Sequence, residues 1–222
     1  MFSKILVTDD IDLNNIATEK ALNELNIPFT EYVKYCDDAI LKLKKAQAEN
    51  IPFELLITDL SFKNDHRDAK IISGEQLIAE VKKTFPKIKI IAFSIDDRPH
   101  KIKRLINDQD IDAYVVKHRN TANELKKAIE VVWIGSEKYL SPSILQALQD
   151  KTTSEIDDYD IQLLTQLSIG IPQENMEAKF KELNITPNSK STIEKRIAKL
   201  KDYFQANNTT HLISIAKDMG IV

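Results

Sequence analysis

The sequence is poor in the residues and runs that mark several protein classes. It has 1 cysteine, Cys36, which excludes a disulfide framework and a zinc site built from several cysteines. Its 4 glycines are widely spaced, so a glycine-rich phosphate-binding loop is absent. No apolar stretch approaches the length of a membrane span, and the first residues carry no secretory signal. These absences predict a cytoplasmic protein that does not contact a membrane.

The remaining composition is that of an ordinary globular protein. Of the 222 residues, 42% are hydrophobic and 29% are charged, which is enough apolar material for one large domain or two modest ones. The net charge of −3 excludes a uniformly basic surface. Any contact with nucleic acid must therefore come from a local basic patch.

Short β-branched apolar runs alternate with helical patterns from Lys4 to about Gly135. The runs predict five strands, at 5–7, 29–33, 55–57, 88–93 and 113–116. The segments between and after them predict helices, at 13–25, 36–48, 75–85, 99–108 and 121–134. Several runs do not alternate with polar residues, as expected when helices cover both faces of a parallel sheet. The sequence predicts an α/β domain over 1–135 with a five-stranded, doubly wound parallel sheet.

The rest of the chain has a different pattern. Residues 136–158 contain a Ser-Pro helix start, a short helix and an acidic stretch, and they predict a linker. Helical patterns then follow at 161–167, 173–183, 192–204 and 210–219. The segment 159–222 is therefore predicted to be a small all-helical domain.

Polar residues follow four of the predicted strands at the point where each strand ends. They are Asp9, Asp10, Asp59, Ser94 and Lys117. Ligands of doubly wound sheets collect at the carboxyl ends of the strands, so these side chains should converge. Three neighbouring carboxylates repel one another, and Mg²⁺ is the natural ion to neutralise them. One carboxylate could then attack phosphorus while the lysine and serine bind phosphoryl oxygens, which predicts acyl-phosphate formation.

The segments 7–10, 56–60, 91–94 and 114–117 resemble the matching motifs of receiver domains of two-component response regulators, which have a flavodoxin-like fold. The resemblance implies that Asp59 accepts phosphate from a sensor histidine kinase. It also implies that Mg²⁺ is held by Asp9, through a water, by Asp10 and Asp59, and by the backbone carbonyl of Ser61. Ser94 and Tyr114 would be switch residues. The only chemistry implied is self-phosphorylation and slow self-dephosphorylation at Asp59, so the protein is not expected to be a conventional enzyme.

This chain departs from the receiver pattern after the acceptor residue. Phe62 and Lys63 stand where the family usually has Met-Pro, and Gly74 follows Asp59 at a longer spacing than usual. The intervening loop, 63–68, is highly charged and includes His66. It is either a solvated insertion or a segment that tunes partner choice or dephosphorylation. His118 stands where many receivers have a proline.

The helical segment resembles the helix-turn-helix of LuxR-type regulators of the NarL and FixJ subfamily. The residues that carry the resemblance are Leu163, Leu164, Leu167, Gly170, Met176, Phe180, Ser189, Thr192, Ile193, Leu200 and Phe204, with 216–221 as the closing helix. The resemblance implies promoter DNA as a partner, bound by a homodimer. Ser189 is expected to cap a helix over 190–204, in which Ile193, Ile197, Leu200 and Phe204 form the buried stripe.

The exposed face of this helix is basic. Residues 190–201 contain five lysines or arginines and one acidic residue, Glu194. The candidate DNA contacts are Lys190, Thr192, Lys195, Arg196 and Lys199. Charge alone fits a solvated helix face equally well. The insertion 186–188 before the helix and the carboxylate of Glu194 leave the target sequence open.

Three hypotheses follow for the function. The first is a response regulator that accepts phosphate on Asp59 and regulates transcription by binding DNA. The second keeps the receiver and makes the helical domain a protein-interaction module. The third starts from the resemblance of Asp10-Ile11-Asp12 to the opening motif of haloacid-dehalogenase-type phosphatases, with Asp10 as nucleophile. The position of Lys117 after the later acidic residues disfavours the third hypothesis.

Overall fold

The chain forms two compact units, Met1–Ala147 and Leu148–Val222. The structure is a computed structural model, and it describes residues 1–63, 69–118, 121–149 and 156–222. The division between the units falls within the segment 136–158 that the sequence predicts to be a linker.

The first unit is built on one parallel sheet. Its strands are β1 (Lys4–Thr8), β2 (Phe29–Val33), β3 (Leu55–Thr58), β4 (Lys89–Ser94), β5 (Ala113–Val116) and β6 (Tyr139–Leu140). Their order across the sheet is β2-β1-β3-β4-β5-β6, and every neighbouring pair is parallel. The chain starts in the interior of the sheet and winds to both edges. A doubly wound order of this kind places a crevice at the carboxyl ends of β1 and β3.

Helices cover both faces of this sheet. They are α1 (Asp12–Glu24), α2 (Cys36–Ala48), α3 (Gly74–Thr84), α4 (Pro99–Asn107), α5 (Thr121–Ile134) and α6 (Pro142–Gln149). One core cluster joins α1 and α5 to the side chains of one sheet face, including Ile5, Ile57 and Phe93. The alternate residues of β1 and β3, Leu6 and Leu56, are fully buried on the opposite face. Burial on both faces explains why interior strands such as β1 and β3 are apolar without alternation.

The predicted count of five strands is wrong, because the sheet has six within the described residues. The additional strand, β6, contains only Tyr139 and Leu140 and pairs with the edge of β5. Two residues are too few to produce a recognisable strand pattern. The predicted linker therefore begins with a strand that the sequence did not predict, β6, followed by a short helix, α6, at the predicted Ser-Pro start.

The second unit is helical throughout its described residues. It contains α7 (Asp158–Ser168), a 3₁₀ turn (Gln173–Asn175), α8 (Met176–Glu182), α9 (Lys190–Tyr203) and α10 (Thr209–Asp218). Its core joins all four helices and includes Leu163, Phe180, Ile197 and Leu212. The predicted helix over 173–183 is a 3₁₀ turn followed by a shorter α-helix.

The beginning of α9 agrees with the prediction from its cap residue. The side chain of Ser189 accepts a hydrogen bond from the backbone N–H of Thr192 at 3.3 Å. Ile193, Ile197 and Leu200 form the buried stripe, while Phe204 follows the helix and is half-buried. Among the described residues, no helix has both the length and the apolar character needed to span a bilayer.

Candidate functional site

The sheet's hydrogen bonds continue past the strand ends and hold the site residues at one edge. The N–H of Asp59 donates to the carbonyl of Thr8 at 2.9 Å, and the N–H of Lys117 donates to the carbonyl of Ser94 at 2.8 Å. The N–H of Asp9 donates to Val33 at 3.1 Å. The hydrogen bonds of the parallel sheet therefore fix the backbone positions from which these side chains extend.

Lys117 joins two carboxylates that come from different strands. Its Nζ lies 2.7 Å from Oδ2 of Asp9 and 2.5 Å from Oδ2 of Asp59. The exposed fractions of these three side chains are 7% for the lysine and 3% and 5% for the two aspartates. Water screens such buried charges weakly, so the ammonium is the main counter-charge to both carboxylates in the described residues.

The second oxygen of Asp59 is held by the backbone that follows it. Its Oδ1 accepts hydrogen bonds from the N–H groups of Leu60, at 2.6 Å, and Ser61, at 3.2 Å. Asp9 makes a similar local bond, because its Oδ1 accepts from the N–H of Ile11 at 2.9 Å. These bonds fix the carboxylate planes without using a second cationic side chain.

Three carboxylates form a possible metal-binding set at the same place. Asp9, Asp10 and Asp59 each offer an oxygen, and the three oxygens lie within 4.8 Å of one another. Oδ2 of Asp10 accepts from the N–H of Lys63 at 3.0 Å, whereas Oδ1 of Asp10 is buried and has no hydrogen-bond partner in the described part of the chain. A buried carboxylate oxygen without a partner is costly, and a hard cation would satisfy it. The residues therefore fit Mg²⁺.

The two predicted switch residues lie next to this cluster. Ser94 is fully buried at the end of β4, and its hydroxyl accepts a long hydrogen bond, 3.4 Å, from the N–H of Asp96. The ring of Tyr114 is also fully buried, and its hydroxyl donates to the carbonyl oxygen of Asp96. One loop residue thus contacts both side chains.

Electrostatic conditions around this loop shift two pKa values. Burial raises the pKa of Tyr114 well above its usual range, and the charges of Asp96 and Asp59 add to this effect. Burial alone would raise the pKa of Asp96, but hydrogen bonds from Arg98 and Lys101 hold it well below its usual range. Both groups are therefore fixed in one protonation state at neutral pH, with the tyrosine neutral and the aspartate charged.

Gly74 belongs to the site although sequence analysis did not assign it a role. It is the first residue of α3, and its N–H donates to the carbonyl of Leu60 at 3.1 Å. The helix start packs so closely on the backbone of Asp59 and Leu60 that there is no room for a Cβ atom. The signal in the sequence was an isolated glycine directly after Ser73, which caps α3 by accepting from the N–H of Gln76.

Other expectations for this region lie wholly or partly beyond the described residues. The loop 64–68, with His66, falls outside them, so its role stays a prediction. Ser61 is in place, two residues after Asp59, and its N–H contacts that carboxylate. Metal binding by the Ser61 carbonyl also stays a prediction.

The phosphatase hypothesis receives no support from this geometry. Asp10, its proposed nucleophile, lies beside the other carboxylates, but the Lys117 ammonium contacts Asp9 and Asp59. Asp10 instead accepts from the backbone N–H of Lys63. Among the described residues, the lysine that this hypothesis requires therefore contacts Asp9 and Asp59 and not the proposed nucleophile.

The candidate DNA contacts lie on one helix, α9. Lys190, Lys195 and Lys199 are exposed, Thr192 is half-exposed, and Glu194 is also exposed. The buried stripe of α9 packs against the other helices of the second unit. The side chains of the three lysines are therefore accessible to a polyanion, and Glu194 is an exposed acidic residue on the same helix.

Arg196 differs from the other candidates because other residues of the second unit bind its guanidinium. It donates to the carboxylate of Asp157, and its Nε lies 2.8 Å from Oδ1 of Asp160. It also stands over the ring of Tyr159 at 5.4 Å. Burial raises the pKa of Asp160, which is 1% exposed, whereas the bond from Arg196 lowers the pKa of Asp157 against the effect of burial. Arg196 therefore ties α9 to the start of α7.

The comparisons with known proteins identify the fold. No protein-family model matches the chain, and no curated protein sequence matches it. A structure of the two-component response regulator RcsB in complex with DNA is 22% identical, covers 98% of both chains and has a TM-score of 0.65.

Two structures of RcsB from Salmonella enterica serovar Typhimurium are also similar. One, bound to promoter rprA in the presence of the phosphomimetic BeF₃⁻, is 22% identical over 96% of both chains, with a TM-score of 0.62. The other is the isolated REC domain with BeF₃⁻, which is 24% identical, covers 67% of this chain and 100% of its own, and has a TM-score of 0.55. The chain therefore has the fold of RcsB structures: a doubly wound parallel sheet with flanking helices, followed by a helical unit.

Proposed function

We propose that this protein is a response regulator that accepts a phosphoryl group on Asp59 and regulates transcription by binding promoter DNA. The observation that carries the proposal is the buried contact of one ammonium, that of Lys117, with the carboxylates of Asp9 and Asp59. The motif resemblance and the fold shared with RcsB structures support the same function. The proposed division is a receiver over 1–135, a connecting segment over 136–158 and a DNA-binding unit over 159–222.

The phosphoryl donor in this proposal is a phosphohistidine of a sensor histidine kinase. An oxygen of Asp59 forms a bond to phosphorus while the bond between phosphorus and the imidazole nitrogen breaks, and the imidazole leaves. Lys117 already reaches Oδ2 of Asp59, so its ammonium is placed to bind a phosphoryl oxygen. Backbone N–H groups of Leu60 and Ser61 orient the carboxylate. Loss of the phosphoryl group to water at the same residue is slow self-dephosphorylation.

The proposed metal ligands are Asp9, Asp10, Asp59 and the Ser61 carbonyl, with Asp9 acting through a water. Bound Mg²⁺ supplies positive charge that neutralises the carboxylates and the incoming phosphoryl oxygens. Two observations support this role: Oδ1 of Asp10 is buried without a hydrogen-bond partner among the described residues, and Asp10 lies in a cluster of three carboxylates. The switch would follow from Ser94, whose hydroxyl accepts a long hydrogen bond of 3.4 Å and could turn to the phosphoryl group while Tyr114 repacks.

The proposed output is a homodimer bound to promoter DNA through α9. Lys190, Lys195 and Lys199 would contact phosphates, and Thr192 is placed near the start of the helix, where side chains reach base edges. Arg196, which the sequence placed among these contacts, is proposed instead to orient α9, since Asp157 and Asp160 hold it.

Intact mass measurement tests the acceptor. The full-length protein, incubated with acetyl phosphate and Mg²⁺, should gain one phosphoryl group, and Asp59→Ala should gain none. Asp97→Asn removes an exposed carboxylate beyond Ser94 and should gain the group as the unmodified protein does. Equal gain by Asp59→Ala would refute the assignment of Asp59.

A gel-shift assay tests the output separately. Promoter fragments from the source genome should be retarded, and treatment with acetyl phosphate and Mg²⁺ should change their affinity. A protein that is phosphorylated but retards no fragment would favour the protein-interaction hypothesis for the second unit.

A further inference from the structure

One carboxylate joins the end of β5 to the segment that follows α5. Oε1 of Glu124, in the first turn of α5, lies 2.8 Å from Nε2 of His118. Its Oε2 accepts a hydrogen bond of 2.5 Å from the hydroxyl of Ser141. The serine is fully buried, and the Glu124 side chain is 14% exposed. We call these three residues the clasp.

Ser141 also completes the pairing of β6 with β5. Its N–H donates to the carbonyl of Tyr114 at 3.0 Å, and its hydroxyl accepts from the N–H of Val116 at 3.0 Å. The hydroxyl thus accepts from the sheet and donates to Glu124. A two-residue strand is weak by itself, so this serine provides much of what holds β6 on the sheet edge.

His118 connects the clasp to the acidic site. It directly follows Lys117, whose ammonium contacts Asp9 and Asp59. The N–H of His118 donates to the hydroxyl of Thr121 at 2.6 Å, and that hydroxyl donates to the carbonyl of His118. Both the N–H and the carbonyl of His118 are therefore bound to the hydroxyl of Thr121. Displacement of Lys117 must either carry His118 along or strain these bonds.

We propose that Glu124 is a positioning residue that couples the location of Lys117 to the docking of β6 on β5. The inference rests on the proposed function. A phosphoryl group on Asp59 attracts the Lys117 ammonium towards the phosphoryl oxygens. The movement of Lys117 displaces the adjacent residue His118, and this displacement weakens the contact between His118 and Glu124. The clasp therefore opposes phosphorylation, and phosphorylation loosens the segment that leads to the second unit.

Coupling between two binding events is reciprocal. If occupation of Asp59 loosens β6, then opening the clasp must tighten binding at Asp59 by the same factor. Couplings between sites in proteins are commonly about fivefold or larger. A phosphomimetic that binds reversibly, BeF₃⁻ with Mg²⁺, allows this factor to be measured as an affinity.

The test uses the full chain and isothermal titration calorimetry with BeF₃⁻ and Mg²⁺. His118→Ala and Ser141→Ala should each bind BeF₃⁻ about fivefold more tightly than the unmodified protein. His118→Gln should restore the original affinity, because the glutamine amide nitrogen can donate from nearly the position of Nε2. Lys126→Gln breaks an exposed ion pair of α5 with Glu24 and should leave the affinity unchanged.

Amide hydrogen exchange of residues 137–146 measures the coupling in the other direction, from binding at Asp59 to the opening of β6. BeF₃⁻ should accelerate exchange there in the unmodified protein, and Ser141→Ala should exchange fast with or without it. Variant affinities equal to or weaker than that of the unmodified protein, or exchange that BeF₃⁻ does not change, would overturn the coupling.

The two proposals fail in different ways. An unmodified protein that binds no BeF₃⁻ would reject the proposed function and the coupling with it. Normal binding by every variant would reject the coupling alone. If Ser141→Ala does not fold, His118→Ala still decides the question, because the His118 side chain is 37% exposed and its loss leaves no buried cavity.

Discussion

Gly74 packs against the backbone of Asp59 so closely that a Cβ atom on the glycine would lie 1.9 Å from the aspartate's carbonyl oxygen. The same Cβ would lie 2.7 Å from Cα of Leu60. Both neighbours are backbone atoms, which cannot rotate away as a side chain can. The start of α3 therefore constrains where the backbone of Asp59 and Leu60 lies.

Gly74→Ala should destabilise the first unit and impair the acceptor. Because the backbone of the acceptor segment must shift, we expect a loss of about 2 kcal/mol or more in the free energy of unfolding. Phosphorylation by acetyl phosphate should also slow. Urea denaturation and the intact-mass assay measure the two effects.

Gly135→Ala is the matched control for that substitution. Gly135 has a φ of +72°, and apart from its chain neighbours no atom of the described residues lies within 4 Å of the position of a Cβ, so backbone strain is what opposes alanine there. This costs about 1 kcal/mol and should not alter phosphorylation. If Gly74→Ala were as mild as the control, the close approach would not constrain the acceptor.

Lys117→Met should destabilise the protein in the absence of divalent cations. The substitution leaves the carboxylates of Asp9 and Asp59 buried without their ammonium partner, which costs about 3 kcal/mol for a buried pair. Urea denaturation in EDTA measures the loss. Lys126→Met removes an exposed ion pair with Glu24 and should have a much smaller effect. Equal stability of Lys117→Met and the unmodified protein would mean that the ammonium does not compensate these charges.

Mg²⁺ should stabilise the folded chain through Asp10. A ligand present at 100 times its dissociation constant adds about 2.7 kcal/mol to the free energy of unfolding. Asp10→Asn removes the charge from the residue whose Oδ1 has no hydrogen-bond partner among the described residues, so most of this gain should disappear. Thermal unfolding with a Mg²⁺ titration gives the result, and Asp97→Asn should respond as the unmodified protein does.

The stability contributed by Asp96 should depend on pH. Its folded pKa lies below the usual value of 3.8, because bonds from Arg98 and Lys101 overcome the effect of burial. A lowered carboxyl pKa stabilises the folded state fully above the unfolded value, and this contribution decreases as the pH falls below 3.8 towards the folded pKa. Asp96→Asn should therefore have a lower free energy of unfolding than the unmodified protein at pH 7. The difference between the two proteins should become smaller below pH 3.8.

Urea denaturation of both proteins between neutral and acidic pH measures this gap. Asp97→Asn controls for the removal of a charge from the same loop. A gap that widened as the pH fell would contradict the assigned direction of the shift.

The sequence predicted the elements that are marked by long or repeated patterns. Short β-branched apolar runs predicted the strands β1 to β5, and the residues after two of these runs include the cluster of Asp9, Asp10 and Asp59. Parallel strands make this step possible, because their carboxyl ends share one edge. The strand β6 was missed because two residues are too few to form a pattern, and the Ser141 hydrogen bonds that add to its pairing with β5 are not visible in a sequence.

The role of Arg196 could not be predicted for a similar reason. It stands among lysines on one helix, and helical periodicity distinguishes only buried from exposed faces. Its partners, Asp157 and Asp160, lie 39 and 36 positions earlier in the sequence. Contacts over such separations depend on how helices pack, which a single sequence does not display.

Salt dependence of DNA binding should separate Arg196 from the lysines of α9. The logarithm of the affinity falls linearly with the logarithm of the salt concentration, and each phosphate contact that is lost reduces the magnitude of this slope by about 0.9. Lys195→Ala and Lys199→Ala should each reduce the slope by that amount when the protein binds a random-sequence duplex. Lys217 is exposed on α10, outside the proposed DNA contacts, and Lys217→Ala should leave the slope unchanged.

Arg196→Ala should behave differently, because it leaves the buried carboxylate of Asp160 without its cation. We expect a lower free energy of unfolding for the second unit and weaker DNA binding, because α9 loses its tie to α7. Arg196→Lys should recover part of both, since an ammonium can still reach a carboxylate but cannot form the fork of the guanidinium. Suppose that Arg196→Ala reduces the magnitude of the slope by about 0.9 without changing the free energy of unfolding. Arg196 would then contact a DNA phosphate, as the sequence predicted, and the proposed orienting role would be wrong.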